Sequence, residues 1–152
     1  MSRSSDVIKT LSGKTLATAE SLTGGGIGAM LTAVPGSSAV YLGGVISYTN
    51  DVKAGVLGVS KDTLRAYGAV SSQVAGEMVC GVRKLLGSDV AVSVTGLAGP
   101  GGDEFGNPVG TVYIGYEDSA HHFVRQYRFE GDRDAVRLQT IHAAFELILE
   151  NN

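Results

Sequence analysis

Apolar and polar positions recur with two periods along the chain, and the points where the period changes set the order of elements. Residues 2–11 carry a short helical pattern, and 14–19 (Lys-Thr-Leu-Ala-Thr-Ala) read as a buried first strand bounded by Gly13. Over 22–34, small residues and Ile27, Met30, Leu31 and Val34 recur at helical spacing until Pro35-Gly36 stops them. The β-rich stretch 39–49 holds Val40, Tyr41, Val45, Ile46 and Tyr48 around the pair Gly43-Gly44. Asn50 is expected to cap a two-turn helix over 51–57 that Gly58 ends, and a second short helix begins over 60–67. The clearest amphipathic helix is capped by Ser71 or Ser72 and ends at Gly87. Its apolar face is Val74, Ala75, Met78, Val79, Val82, Leu85 and Leu86.

A β-branched strand at 89–95 runs into a fifteen-residue loop, 96–110, with six glycines and two prolines. Residues 111–116 and 122–129 predict a hairpin that turns around Glu117-Asp118-Ser119. The last segment, 131–150, is one long helix capped by Asp132, with Leu138, Ile141, Phe145 and Ile148 as its stripe. The order α, β, α, β, α, α, β, β, β, α predicts a single three-layer α/β/α domain over 1–152 with a mixed β-sheet.

Composition narrows the class. The length of 152 residues suits one domain, and 43% hydrophobic with 18% charged residues belongs to a packed chain, not a disordered one. The 22 glycines, against an ordinary usage of about 7%, call for many turns or close backbone approaches. A net charge of −3 argues against a nucleic-acid partner, which usually meets a basic face. No apolar run reaches the roughly 18 to 20 residues that span a bilayer, and residues 1–10 lack a signal-peptide core, so no membrane partner and a cytoplasmic location are expected. The single cysteine, Cys80, excludes an internal disulfide and a cysteine metal cluster, and beside Met78, Val79 and Val82 it reads as core.

Candidate chemistry begins at Ser21, in Ala19-Glu20-Ser21-Leu22-Thr23-Gly24-Gly25-Gly26, where the first strand hands over to the first long helix. Ligands of open α/β sheets bind at such ends, and free N–H groups of Leu22, Thr23 and Gly24 suit an anion or a developing oxyanion. The plain alternative is a serine cap. A serine nucleophile needs a base. His121, His122 and His142 fall in no glycine-flanked turn and in no zinc-ligand spacing, so no metal is expected. Lys53 is the better candidate, because in the first turn after Asn50 the macrodipole disfavours a charged ammonium. A solvated surface lysine is the alternative there. Tyr48 is placed to hydrogen-bond in the same pocket, or is a half-buried strand tyrosine.

Arg133 and Arg137, four positions apart, share a helix face, where two like charges need an anionic partner. They make either a phosphate clamp or internal pairs with Asp134, Glu130 or a partner subunit. The loop from Thr95 and Gly96 through Ala98 and Gly99 to Asp103 lacks a P-loop lysine and a dinucleotide fingerprint. It is a nucleotide-contacting backbone, a lid, or an intersubunit loop.

Taken together, Ala-Glu-Ser-Leu-Thr-Gly-Gly at 19–25, Pro-Gly-Ser-Ser at 35–38, Ser-Tyr-Thr-Asn-Asp-Val-Lys at 47–53, Gly-Ala-Val-Ser at 68–71, Thr-Gly-Leu-Ala-Gly-Pro-Gly-Gly at 95–102, Pro-Val-Gly-Thr-Val at 108–112 and Gly-Asp-Arg-Asp-Ala-Val-Arg at 131–137 closely resemble the CinA C-terminal domain family over roughly 6–150. Stand-alone members of that family are the PncC-type nicotinamide-nucleotide amidases. The resemblance implies an amidohydrolase of pyridine nucleotide salvage that converts nicotinamide mononucleotide to nicotinate mononucleotide and ammonia. It also implies that Ser21 is the nucleophile, Lys53 the base and Tyr48 their associate, with no metal or cofactor. Leu22 stands where many relatives carry cysteine. Backbone amides near Leu22 to Gly24 would hold the oxyanion, Arg133 and Arg137 are candidates for the 5′-phosphate, and the 95–102 loop would shape the nucleotide pocket. A homo-oligomer is expected. A non-catalytic nucleotide-binding or regulatory module, tied to competence or DNA damage, is the alternative function.

Overall fold

Strand β1 (Leu16–Glu20) is buried along its whole length because it lies between two parallel neighbours, β2 (Tyr41–Ile46) and β3 (Val90–Gly96). Strands β4 (Thr111–Glu117) and β5 (His122–Arg128) add antiparallel as the expected hairpin, giving a five-stranded mixed sheet of order β2-β1-β3-β4-β5. The computed structural model describes residues 3–152, so position 2 of the expected first helix lies outside the described residues. Helices α1 (Arg3–Thr10), α2 (Gly26–Thr32) and α6 (Arg133–Glu150) cover one face. Helices α3 (Asn50–Gly55), α4 (Lys61–Tyr67) and α5 (Ser72–Leu86) lie on the other. The result is the single three-layer α/β domain that the periodicity predicts. Among the described residues, no helix is long and apolar enough to cross a membrane.

The two faces of the sheet differ in side-chain size. Leu16, Val90, Val92, Val94, Ile114 and Tyr116 point to the side of α2 and α6 and pack with Ile27, Leu31, Val136, Phe145 and Ile148. The alternate positions carry Ala17, Ala19, Ala91, Ser93 and Gly115, so α5 settles close against the sheet, and the Ser93 hydroxyl donates to the Ala75 carbonyl at 2.7 Å. Period-two alternation of large against small thus sorts the long helix α6 and the tightly packed α5 to opposite faces.

Several expected positions move. Cys80 is exposed, not core, because the helical period turns it to the side of α5 opposite Val74, Met78 and Val82. Leu85 stands in the last turn of α5, where it lines a surface cleft with Val56. Leu138 is also exposed, because it falls just outside the α6 arc of Val136, Thr140, Ile141, Ala144 and Phe145. The cap of α3 is Thr49, not Asn50: Thr49 keeps extended backbone and its hydroxyl accepts the Val52 N–H, while Asn50 is already helical.

Gly81 marks a close approach, since a Cβ there would lie 2.0 Å from the Leu57 carbonyl oxygen. In an open helix, Gly→Ala stabilises by about 1 kcal/mol. Here Gly81→Ala is expected to destabilise by about 1–3 kcal/mol through overpacking, read as a lower midpoint in urea unfolding.

Candidate active site

Ser21 follows β1 at the carboxyl end of the parallel strands, and its N–H still donates to the Val94 carbonyl at 3.1 Å, extending the β1–β3 ladder by one residue. The crossover from β1 to β2 passes through α2 on one face, and the crossover from β2 to β3 passes through α5 on the other. A crevice opens where the chain switches direction in this way.

After Ser21 the chain makes two tight turns, closed by Gly24 N–H to the Ser21 carbonyl (3.2 Å) and Gly26 N–H to the Thr23 carbonyl (2.9 Å). Gly24 (φ 58°) and Gly25 (φ 99°) form the centre of the second, a pair of positive φ values that side chains resist. Helix α2 therefore starts at Gly26 with Gly25 as its cap, so Ser21 stands a short loop ahead of it and does not cap it. The acceptor at the start of that helix is Glu20. Its buried carboxylate accepts the N–H groups of Ile27 (2.8 Å) and Gly28 (3.0 Å) and the Thr23 hydroxyl (2.6 Å). The positive end of α2 is thus satisfied by the chain's own anion. The N–H groups of Leu22 and Thr23, at the centre of the Ser21–Gly24 turn, meet no acceptor among the described residues. The Gly24 N–H, expected beside them, is taken by the turn itself.

Lys53 reaches Ser21 across 32 positions of sequence: Nζ lies 2.8 Å from Ser21 Oγ, 2.7 Å from the Ser47 carbonyl and 3.2 Å from the Tyr48 carbonyl. Its side chain is 1% exposed, among the most deeply buried in the molecule. Burial disfavours the ammonium and lowers the pKa to about 8. Loss of solvent, more than the helix dipole, favours the neutral amine here.

Tyr48 supplies its backbone carbonyl to Lys53, while the residue as a whole is 58% exposed and its hydroxyl accepts from Arg133 Nη2 at 3.1 Å. A cavity of about 510 Å³ opens above Ser21 and Lys53. Thr95, Gly96, Ala98 and Gly99 line it, together with Leu22, Tyr48 and Arg133. The Thr95 hydroxyl is occupied, donating to the Ala69 carbonyl at 2.8 Å, so Thr95 braces the wall. The outer rim is ordered by Asp103, whose carboxylate accepts the N–H groups of Phe105 and Asn107 and the Asn107 side-chain amide. Phe105 packs over Gly68.

The two arginines part company. Arg133 Nη1 donates to the Gly99 carbonyl at 2.7 Å and lines the cavity. Arg137, one helical turn later, is not among the lining residues: Nε donates to the Leu22 carbonyl at 2.9 Å and Nη2 to the Thr23 carbonyl at 3.3 Å. Sequence reasoning missed Glu20 and Asn107. The available signal for Glu20 was a carboxylate directly before the candidate nucleophile, with no other acid near the start of α2. His121 and His122 pair on the surface with Asp118 and Glu117, away from the site.

These features define an α/β domain with a lysine-paired serine at the carboxyl end of its parallel strands. The chain belongs to the CinA family, with residues 2–151 matching the CinA C-terminal domain. It is 47% identical to a CinA-like protein of Thermotoga maritima over 133 residues, covering 88% of this chain and 32% of that one. It is 49% identical to a putative competence-damage inducible protein of Desulforamulus reducens over 135 residues, covering 89% and 33%. The chain thus spans about a third of the length of these relatives. Among solved structures, the competence damage-inducible protein A (ComA) of Klebsiella pneumoniae superposes with a TM-score of 0.95 at 35% identity, covering 97% of this chain and 93% of that one. The competence/damage inducible protein CihA of Agrobacterium tumefaciens gives 0.94 at 38%, covering 97% and 92%.

Removing the Glu20 carboxylate leaves two N–H groups and a buried hydroxyl without acceptors. Glu20→Ala is expected to cost about 1–3 kcal/mol of stability, measured by urea unfolding; an unchanged midpoint would show that water replaces it at no cost.

Proposed function

We propose that this domain is an amidohydrolase that converts nicotinamide mononucleotide to nicotinate mononucleotide and ammonia, with Ser21 as nucleophile and Lys53 as base. The observation that carries the reading is the 2.8 Å contact between Ser21 Oγ and a buried Lys53 whose pKa falls to about 8. As a neutral amine, Lys53 has two N–H bonds, for which the Ser47 and Tyr48 carbonyls are the acceptors, and one lone pair left for the Ser21 proton. That is the arrangement a serine hydroxyl needs to become a nucleophile.

In the acylation step, Ser21 Oγ bonds to the carboxamide carbon while its proton passes to Lys53 Nζ. The carbonyl oxygen becomes an oxyanion held by the Leu22 and Thr23 N–H groups. Collapse of the tetrahedral intermediate breaks the C–N bond, and the Lys53 proton leaves with ammonia. Water then adds to the acyl-enzyme with Lys53 again as base, releasing the carboxylate and restoring Ser21. A cavity of about 510 Å³ falls in the ordinary range for small-molecule sites, roughly 300–1,000 Å³. Arg133, on its wall, is the group suited to the 5′-phosphate.

Ammonia release from nicotinamide mononucleotide by the purified protein tests this. Ser21→Ala and Lys53→Ala are each expected to lower kcat by roughly a thousandfold or more while the protein stays folded. For the wild type, kcat/KM is expected to rise with pH and level off above about 8, because only unprotonated Lys53 accepts the Ser21 proton. Nucleotide binding without ammonia release would instead favour a non-catalytic binding module.

A further inference from the structure

We infer that Arg137 is a positioning residue for the oxyanion site, acting through the Leu22 carbonyl on the peptide whose other end is the Thr23 N–H; the inference rests on the Ser21–Lys53 reading above. The C=O and N–H of a trans peptide point in opposite directions. Arg137 Nε holds the Leu22 carbonyl at 2.9 Å, so the Thr23 N–H of that same peptide faces away from α6. The preceding peptide is fixed in the same manner: the Ser21 carbonyl accepts the Gly24 N–H at 3.2 Å, which turns the Leu22 N–H outward. Two consecutive donors directly after the nucleophile are therefore held by their carbonyl ends. One is fixed by the turn and the other by the arginine.

The guanidinium does more than orient. Its planar fork spans two successive carbonyls, with Nη2 at 3.3 Å from Thr23, a geometry that a single ammonium does not reproduce. A cation hydrogen-bonded to the carbonyl polarises the peptide, making the Thr23 N–H a stronger donor to a negative oxygen. The same turn is anchored on its other side by Glu20, through the Thr23 hydroxyl at 2.6 Å. Arg137 does not itself line the cavity and meets its wall only at the Leu22 carbonyl, so its effect on chemistry passes through backbone, whereas Arg133 is a lining residue.

The test compares Arg137→Ala, Arg137→Gln and Arg137→Lys with the wild-type chain in two assays. One is kcat and KM for nicotinamide mononucleotide. The other is the rate at which a fluorophosphonate modifies Ser21, in which the Ser21 oxygen bonds to phosphorus, fluoride leaves, and Lys53 takes the proton. Its phosphoryl oxygen occupies the oxyanion donors without any nucleotide contact. For the Ala and Gln variants, kcat and the phosphonylation rate are expected to fall together by about 10- to 100-fold, with KM within about twofold. The pH midpoint set by Lys53 stays near 8. Arg137→Lys recovers only part of the loss, and added guanidine restores Arg137→Ala, which separates positioning from a general loss of fold.

A rise in KM with unchanged kcat and unchanged phosphonylation would overturn the inference in favour of a phosphate contact, and no change in any value would overturn it outright. If wild-type Ser21 is phosphonylated but the nucleotide is not hydrolysed, the substrate reading fails and the phosphonylation rates alone decide Arg137. If neither occurs, both proposals fall.

Discussion

The site depends on one buried amine. Lys53 Nζ is withdrawn from water and surrounded by oxygen: Ser21 Oγ, the Ser47 carbonyl and the Tyr48 carbonyl. No carboxylate is among these partners, so nothing repays the cost of an ammonium in full, and the neutral form gains ground. The same oxygens that make the burial tolerable for an amine orient its lone pair. Geometry and proton affinity are set by one environment.

The rest of the molecule keeps that environment in place. Parallel pairing of β1 with both β2 and β3 brings the ends of β1 and β2 together, so that the segment leaving β2 delivers Lys53 to the serine that follows β1. The Ser47 N–H donates to the Glu20 carbonyl at 2.8 Å, tying the two chain segments just below the reacting atoms. Helix α6 then braces the site from one side with its first turns: Arg133 joins the Gly99 loop to the Tyr48 hydroxyl, and Arg137 grips the turn after Ser21. Such support from rigid elements is what the proposed acyl transfer would require of a serine, a lysine and two N–H donors.

Much of this was legible in the chain. The β-branched run at 89–95 and the three-to-four spacing in α5 and α6 carry the layers, because a strand covered on both faces is apolar along its length and a helix covered on one side is apolar in a stripe. The motif around Ser21 and the lysine after Tyr48 were legible as candidates, and their likeness to the CinA C-terminal domain joined them. Other features were hidden for physical reasons. Cys80 read as core from its neighbours Met78, Val79 and Val82, although the helical period that buries those three turns residue 80 to the other side of α5. Helical spacing set Arg133 and Arg137 on one face, yet over one turn that face passes from the cavity to the backbone of the Ser21 turn. Glu20 looked like a neighbour of the nucleophile, and its role as the anion at the start of α2 emerges only once two positive-φ glycines delay that helix.

The most direct test of the account is the titration of the Lys53 side-chain nitrogen itself, followed by ¹⁵N NMR of the ζ group in the full chain. A midpoint near 8 is expected, held there by burial. A midpoint at the ordinary lysine value of 10.5 would mean that the amine stays charged at neutral pH, and the proposed base would be lost.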